Sequence, residues 1–216
     1  MKHTTNNSRN ETVLLSAVFI IPLLMVWMVF ISNSSWLDDK VFAFTGPLVS
    51  AGLTSFMKAV TFLGTHDFLI PANLVLIIIL LIKKKKQLAW YTLVVALSSL
   101  GLMSLLKNLF QRKRPDHPMV EGVTNYSFPS GHAFMSVAFF GLLIWLVLEY
   151  TNNRYIKVLL LFFLSLLILL IGFSRIYLRL HYASDVIAGF GIGTLWLYTC
   201  LYLLNRYSPV KERVRL

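Results

Sequence analysis

Apolar residues in this chain fall into long blocks separated by short polar joints. Six blocks, 13–31, 64–82, 88–106, 131–150, 156–173 and 186–204, are each long enough for a helix to cross a bilayer. The stretch between the first two blocks is built differently. Gly46-Pro47 interrupts it, and then Val49, Leu53, Phe56, Met57, Val60 and Leu63 recur at helical spacing, with Ser50, Thr54, Lys58 and Thr61 opposite. A crossing helix would hold Lys58 near its middle at a cost of roughly 3 kcal/mol, so the pattern predicts an interfacial helical segment. The expected fold is all-α: a polytopic membrane protein, a six-transmembrane-helix bundle with this short interfacial segment between spans 1 and 2. One domain, 1–216, accounts for the length. The first block is longer than a signal-peptide core and no A-x-A pattern follows it, which predicts a retained span, with Pro22 expected to kink it.

Composition supports that reading. The chain is 57% hydrophobic and 13% charged, a balance unusual for a soluble domain of 216 residues. The net charge of +11 does not require nucleic acid, because the cations interrupt apolar blocks and do not cover a soluble face. Six spans put both termini on one side with twelve Lys/Arg against three Glu, net +9. The other side carries eight Lys/Arg against six Asp/Glu, net +2. The positive-inside rule then predicts cytoplasmic termini and places the less positive side outside. A single cysteine, Cys200, excludes an intrachain disulfide and a cysteine-rich zinc site.

The chemistry-bearing residues gather on the less positive side. In 174–185, Arg175, Arg179, His181 and Asp185 sit between two apolar blocks, where ionisable residues are expensive to place. His181 and Asp185 are four apart, within reach along one helical face, so a carboxylate on one ring nitrogen leaves the other free as nucleophile or base. Arg175 is six residues before His181, so a shared site requires the chain to turn between them. A polar loop with snorkelling arginines is the plainer alternative for this stretch alone. Lys107 and Arg114, seven apart ahead of Pro115, would share a helical face about 10 Å apart, serving headgroups in general or one phosphate. Ser130-Gly131-His132 opens the fourth span. Ser130 suits an N-cap, Gly131 bares the backbone amides, and His132 stands beside a ready anion site.

Together, Lys107-x6-Arg114-Pro115, Pro129-Ser130-Gly131-His132 and Ser174-Arg175-x5-His181-x3-Asp185 resemble the three-part signature of the type-2 phosphatidic acid phosphatase superfamily. That superfamily covers lipid phosphate phosphatases and, on a shared helical core, soluble vanadium haloperoxidases, which the membrane spans here make implausible. The resemblance implies a phosphoric monoester hydrolase with His181 as nucleophile, Asp185 orienting it, and His132 as general acid and then base. It implies phosphoryl binding by Lys107, Arg114, Ser130, Gly131 and Arg175, with no metal and no cofactor. The implied partners are the bilayer and a phospholipid or isoprenoid-lipid phosphate. The nearest members in organisation are small six-span bacterial enzymes. Phosphatidylglycerol phosphate is therefore the leading substrate, with undecaprenyl pyrophosphate and phosphatidic acid as alternatives.

Other polar residues carry weaker expectations. Arg112, Lys113 and Arg179 read as headgroup contacts or solvated charges, and His66-Asp67 as a loop pair. The five tryptophans suit interface positions or helix packing. The competing function, an anionic-lipid transporter, would place its charges near the midplane on broken helices, whereas here they cluster at one face.

Overall fold

The computed structural model describes residues 20–207, which form no strand, one 3-10 turn at Gly46–Leu48 and eight longer helices. These are α1 (Ile20–Ile31), α2 (Trp36–Thr45), α3 (Ala51–Phe62), α4 (His66–Ile82), α5 (Lys86–Phe110), α6 (Gly131–Tyr150), α7 (Arg154–Tyr177) and α8 (Ala183–Arg206). Helices α5, α6, α7 and α8 are each long and apolar enough to cross a membrane. The count reaches six if two bent pairs are each one span: α1 with Trp36–Leu48, bent by 100°, and α3 with α4, bent by 43°. Residues 13–19 of the first expected span lie outside the described residues.

Three of the crossing helices run past the apolar blocks that predict them. At 24 or 25 residues, α5, α7 and α8 are about 36 Å long, more than the hydrocarbon core requires. Their last or first turns therefore carry Lys107, Arg175 and Asp185 at one end of the bundle. The outside of the bundle is apolar, with Leu74 and Ile78 on α4 and Leu159, Phe162 and Phe163 on α7 all exposed. In water such a surface would be a liability, whereas against lipid it costs nothing and the helices satisfy their own backbone.

Small residues bring α6 and α8 together. A Cβ at Gly189 would lie 2.7 Å from the Ser130 carbonyl oxygen and 3.0 Å from Ala133 Cβ, so the close approach depends on glycine. This contact sets the starts of α6 and α8 side by side, and Ser130 N donates to the Asp185 carbonyl oxygen at 3.0 Å.

The amphipathic stretch keeps much of the expected pattern, with Met57 and Val60 buried and Ser50 and Lys58 exposed, and departs from it at other positions. Of its predicted polar stripe, Thr61 is buried and Thr54 half-buried, while Phe56 from the predicted apolar stripe is exposed. Thr54 bonds the Tyr177 hydroxyl at 3.0 Å, and Thr61 accepts from Arg175 at 2.7 Å. Thr54 and Thr61 thus meet partners inside the protein while Phe56 and Phe62 face outward and Lys58 stays exposed, as on a helix at the border of the lipid.

Candidate active site

The ends of α5, α6, α7 and α8 converge on a cavity of about 490 Å³. Lys107, Arg114, Gly131, His132, Arg175 and His181 line it, as the three clusters predict. Ser130 and Asp185 are fully buried behind it. Ser130 caps α6, its Oγ accepting from Ala133 N at 3.5 Å, and stands behind the residues that line the cavity.

His181 is 1% exposed and lies in the turn between α7 and α8, just before the helix that carries Asp185. The chain does turn between Arg175 and His181: α7 stops at Tyr177, and Arg179 takes a positive φ of 53°. The pairing of His181 with Asp185 is therefore made across a helix start and not along one helical face. His181 Nδ1 is 3.5 Å from Asp185 Oδ2 and 3.3 Å from Ser127 Oγ. Ser127 settles the tautomer. Its hydroxyl donates to Asp185 Oδ2 at 2.5 Å, because a carboxylate only accepts, so its oxygen is left to accept from Nδ1–H. Nε2 then carries the lone pair, and it faces Arg114 Nη1 at 3.3 Å. Burial lowers the pKa of His181 from 6.5 to about 3, against the hydrogen bond and charge of Asp185, with Arg114 and Arg175 lowering it further. The ring is neutral at any physiological pH.

His132 stands at the cavity with its Nε2 buried and unpartnered. The joint before α4 passes close by. A Cβ at Gly64 would meet Ile171 at 2.7 Å and His132 Cδ2 at 3.0 Å. Arg175, 5% exposed, donates to Thr61, and its Nε has no partner among the described residues.

Lys107 and Arg114 do not share a helix. Helix α5 ends at Phe110, and Gln111 adopts φ 46°, so Arg114 approaches the cavity from the extended segment that follows. It is braced on that side by the Asn125 carbonyl at 2.7 Å, the Asn125 side chain and the Leu180 carbonyl at 2.5 Å. Lys107 Nζ donates to the Tyr126 carbonyl.

Several participants were not legible as such. Arg112, expected to be solvated, bridges Asp38 Oδ2 at 2.8 Å and Asp185 Oδ1 at 2.6 Å. Burial acts to lower its pKa, but the charges and hydrogen bonds of Asp185 and Asp38 outweigh it and raise it. Asp38 itself is 1% exposed. Lys113 is exposed as expected, and Arg179 lies half-buried 5.5 Å from the Phe42 ring centre. His66 opens α4 and lines the cavity, correcting its reading as part of a loop pair. Phe128 is fully buried, its ring 5.2 Å from that of Phe30 and 4.9 Å from that of Phe110, which pins Ser127 in place. The sequence carries little signal for Ser127 and Asp38, since each is a single polar residue far in sequence from its partners.

An apolar cleft of about 230 Å³ between α4 and α5 shares His66, Leu100 and Met135 with the polar cavity. Among the described residues no three His, Cys, Asp or Glu side chains converge as a metal site.

A membrane-spanning helical bundle with an oriented imidazole facing a cationic cavity defines the class, a membrane enzyme of phosphate chemistry. The chain belongs to the PAP2 superfamily, whose family model matches residues 87–208. Phosphatidylglycerophosphatase B of Bacillus subtilis (strain 168) is 27% identical over 151 residues, covering 68% of this chain and 72% of that protein. The fold matches the crystal structure of a transmembrane PAP2-type phosphatidylglycerolphosphate phosphatase from Bacillus subtilis with a TM-score of 0.78. That match has 22% identity and covers 91% of this chain and 98% of the other. The Aquifex aeolicus LpxE structure matches with a TM-score of 0.55 at 24% identity, covering 76% and 93%.

Proposed function

We propose that the protein is a lipid phosphate phosphatase that hydrolyses the phosphomonoester of phosphatidylglycerol phosphate to phosphatidylglycerol and inorganic phosphate. The observation that carries this is His181, neutral, with Nδ1–H held by Ser127 and Asp185 and Nε2 open to a cavity of cations. In the first step the Nε2 lone pair bonds to phosphorus, the P–O bond to the glycerol oxygen breaks, and His132 supplies the proton that oxygen takes up. In the second, His132 takes a proton from water, the water oxygen bonds to phosphorus, and the P–N bond returns its electrons to His181. Lys107, Arg114 and Arg175, with the Gly131 amide, stabilise the charge on the transferring oxygens. The apolar cleft beside the polar cavity supports an amphiphilic substrate, with an acyl chain along α4 and α5.

The test is phosphate release from phosphatidylglycerol phosphate in mixed micelles, with phosphatidic acid and undecaprenyl pyrophosphate compared at equal surface concentration. Release with phosphatidylglycerol phosphate preferred is the expected result, and it should persist in EDTA. No release from any of the three would sink the reading.

The charge asymmetry supports an outward-facing site in a bacterial cytoplasmic membrane, with both termini in the cytoplasm. In a Cys200→Ser background, a cysteine in place of Asp116 should react with an impermeant thiol reagent in intact cells. Labelling only after lysis would reverse that orientation.

A further inference from the structure

The family match begins at residue 87, yet the catalytic carboxylate is tied to a helix well before it. Asp38, on α2, is buried and makes three bonds to the far side of the site. Its Oδ1 accepts from Ser184 N at 2.9 Å, and its Oδ2 accepts from Ser184 Oγ and from Arg112 Nη2, both at 2.8 Å. Arg112 Nη1 in turn donates to Ser184 Oγ at 2.8 Å and to Asp185 Oδ1 at 2.6 Å. The guanidinium also lies over the Tyr182 ring, 4.0 Å from its centre. Asp38, Arg112 and Ser184 thus form a closed ring of hydrogen bonds, and Arg112 ties that ring to Asp185 behind His181.

The ring divides the work of the Asp185 carboxylate. Oδ1 is taken by Arg112. Oδ2 accepts from Ser127 and from Tyr182 N at 2.9 Å, and is the oxygen nearest His181 Nδ1. The orientation of Oδ2 therefore depends on where Arg112 stands. A guanidinium with a single carboxylate partner can rotate about that one contact. Held also by Asp38 and stacked on Tyr182, it has one position. We infer that Asp38 is a positioning residue for the phosphatase reaction: acting through Arg112 and Ser184, it aims Asp185 at His181 and so couples α2 to the nucleophile.

This inference rests on the function proposed above, and the first chemical step is where it is read most directly. Asp38 meets no cavity-lining residue through these bonds, so its loss should lower the rate of His181 phosphorylation and leave substrate affinity unchanged. A misaim of this kind costs about 10- to 100-fold in rate.

The experiment uses the purified full chain and an aryl phosphate in a His132→Ala background, where slow hydrolysis lets a burst of phenol report phosphohistidine formation. Adding Asp38→Asn should slow the burst about 10- to 100-fold at saturating substrate, with the substrate concentration for half-maximal rate within twofold. Arg112→Lys, which keeps the charge but cannot bridge two carboxylates, should slow it comparably. A burst in the doubly substituted protein as fast as in His132→Ala alone overturns the inference, even if the added Asp38→Asn lowers the unfolding temperature. So does a change confined to the half-saturating concentration. If Asp38→Asn yields no folded protein, Arg112→Lys and Ser184→Ala decide in the same way. Absence of any burst in His132→Ala alone, or a burst that survives His181→Ala, overturns the phosphohistidine reading instead.

Discussion

The two ends of the helical bundle hold the same kinds of residue in opposite circumstances. At one end Lys83, Lys84, Lys85, Lys86 and Arg154 are all exposed, each a long side chain at a helix end or turn. At the other, Arg175 is buried, Arg112 is sandwiched between two carboxylates and a tyrosine ring, and Arg114 is fixed by three acceptors from the backbone and Asn125. Solvated cations contribute little to stability, and their count serves orientation in the membrane. Buried cations must be matched one by one, which makes them specific in position and costly to misplace. The comparison separates charge that is merely allowed at a membrane face from charge that the fold has gone to some length to hold.

The largest test of this contrast is within the site. His181→Ala should abolish turnover of every substrate, a loss of at least about 10³-fold, because no other group can form the covalent intermediate. His132→Ala should fail differently. With an aryl phosphate, whose leaving group needs little protonation, it should release one equivalent and then stall as phosphohistidine accumulates. Rapid mixing of both variants with an aryl phosphate checks the assignment. A burst in His181→Ala, or equal loss in both whatever the leaving group, would show that the roles are exchanged or wrong.

Next comes the direct comparison between ends. Arg114→Ala or Arg175→Ala should lower kcat/KM by roughly 10²–10³-fold, as for the removal of one well-placed donor to a developing charge. Lys84→Ala and Arg154→Ala should leave it within about twofold. If the exposed cations matter as much as the buried ones under the same micelle assay, the distinction drawn here between the ends fails.

How much of this was legible beforehand follows the same division. Hydropathy located the spans because lipid demands long apolar runs, and α6 begins and ends where its block does, at Gly131 and Tyr150. It missed the last turns of α5 and α7, because Lys107 and Arg175 end apolar counting while the backbone stays helical. That His181, Asp185 and His132 gather at one end of the bundle was readable from local spacing and a family resemblance. Asp38 and Ser127 were not, since periodicity relates neighbours on one helix and Asp38 is 146 positions from Ser184. Arg112 was misjudged for a related reason: next to Lys113 and Arg114 it looks like part of a basic run. Helix α5 ends ahead of them with the left-handed turn at Gln111, and in the non-helical segment that follows Arg112 and Arg114 meet different partners.

A smaller effect should appear in stability against pH. The unfolded chain binds a proton on His181 near its ordinary 6.5, while the folded protein holds the ring neutral down to about 3. This contribution is thus intact above pH 6.5 and is lost as pH falls toward 3, because the unfolded state takes up the proton first. Between pH 6.5 and pH 4 the loss from this one group is on the order of 3 kcal/mol. Unfolding midpoints measured across that window should drop more steeply in the parent protein than in His181→Gln. Parallel curves would mean that the imidazole is not held neutral by burial.

The smallest expected effect concerns how Arg175 is held when no substrate is bound. Its Nη1 has Thr61 as acceptor, from a helix outside the family-matched segment, while its Nε has none among the described residues. Thr61→Val keeps the shape and removes the acceptor, leaving a second buried guanidinium N–H unpaired. The loss should be roughly 1.5–3 kcal/mol, the range for a hydrogen bond to a charged group. A phosphate in the cavity would offer new acceptors to the same guanidinium, so saturating inorganic phosphate should stabilise the variant more than the parent. The check is a pair of unfolding curves for each protein, with and without phosphate. If Thr61→Val is destabilised equally in both conditions, Arg175 is serving the packing of α3 against α7 and not the anion, and the boundary between structural and functional cations at this end must be redrawn.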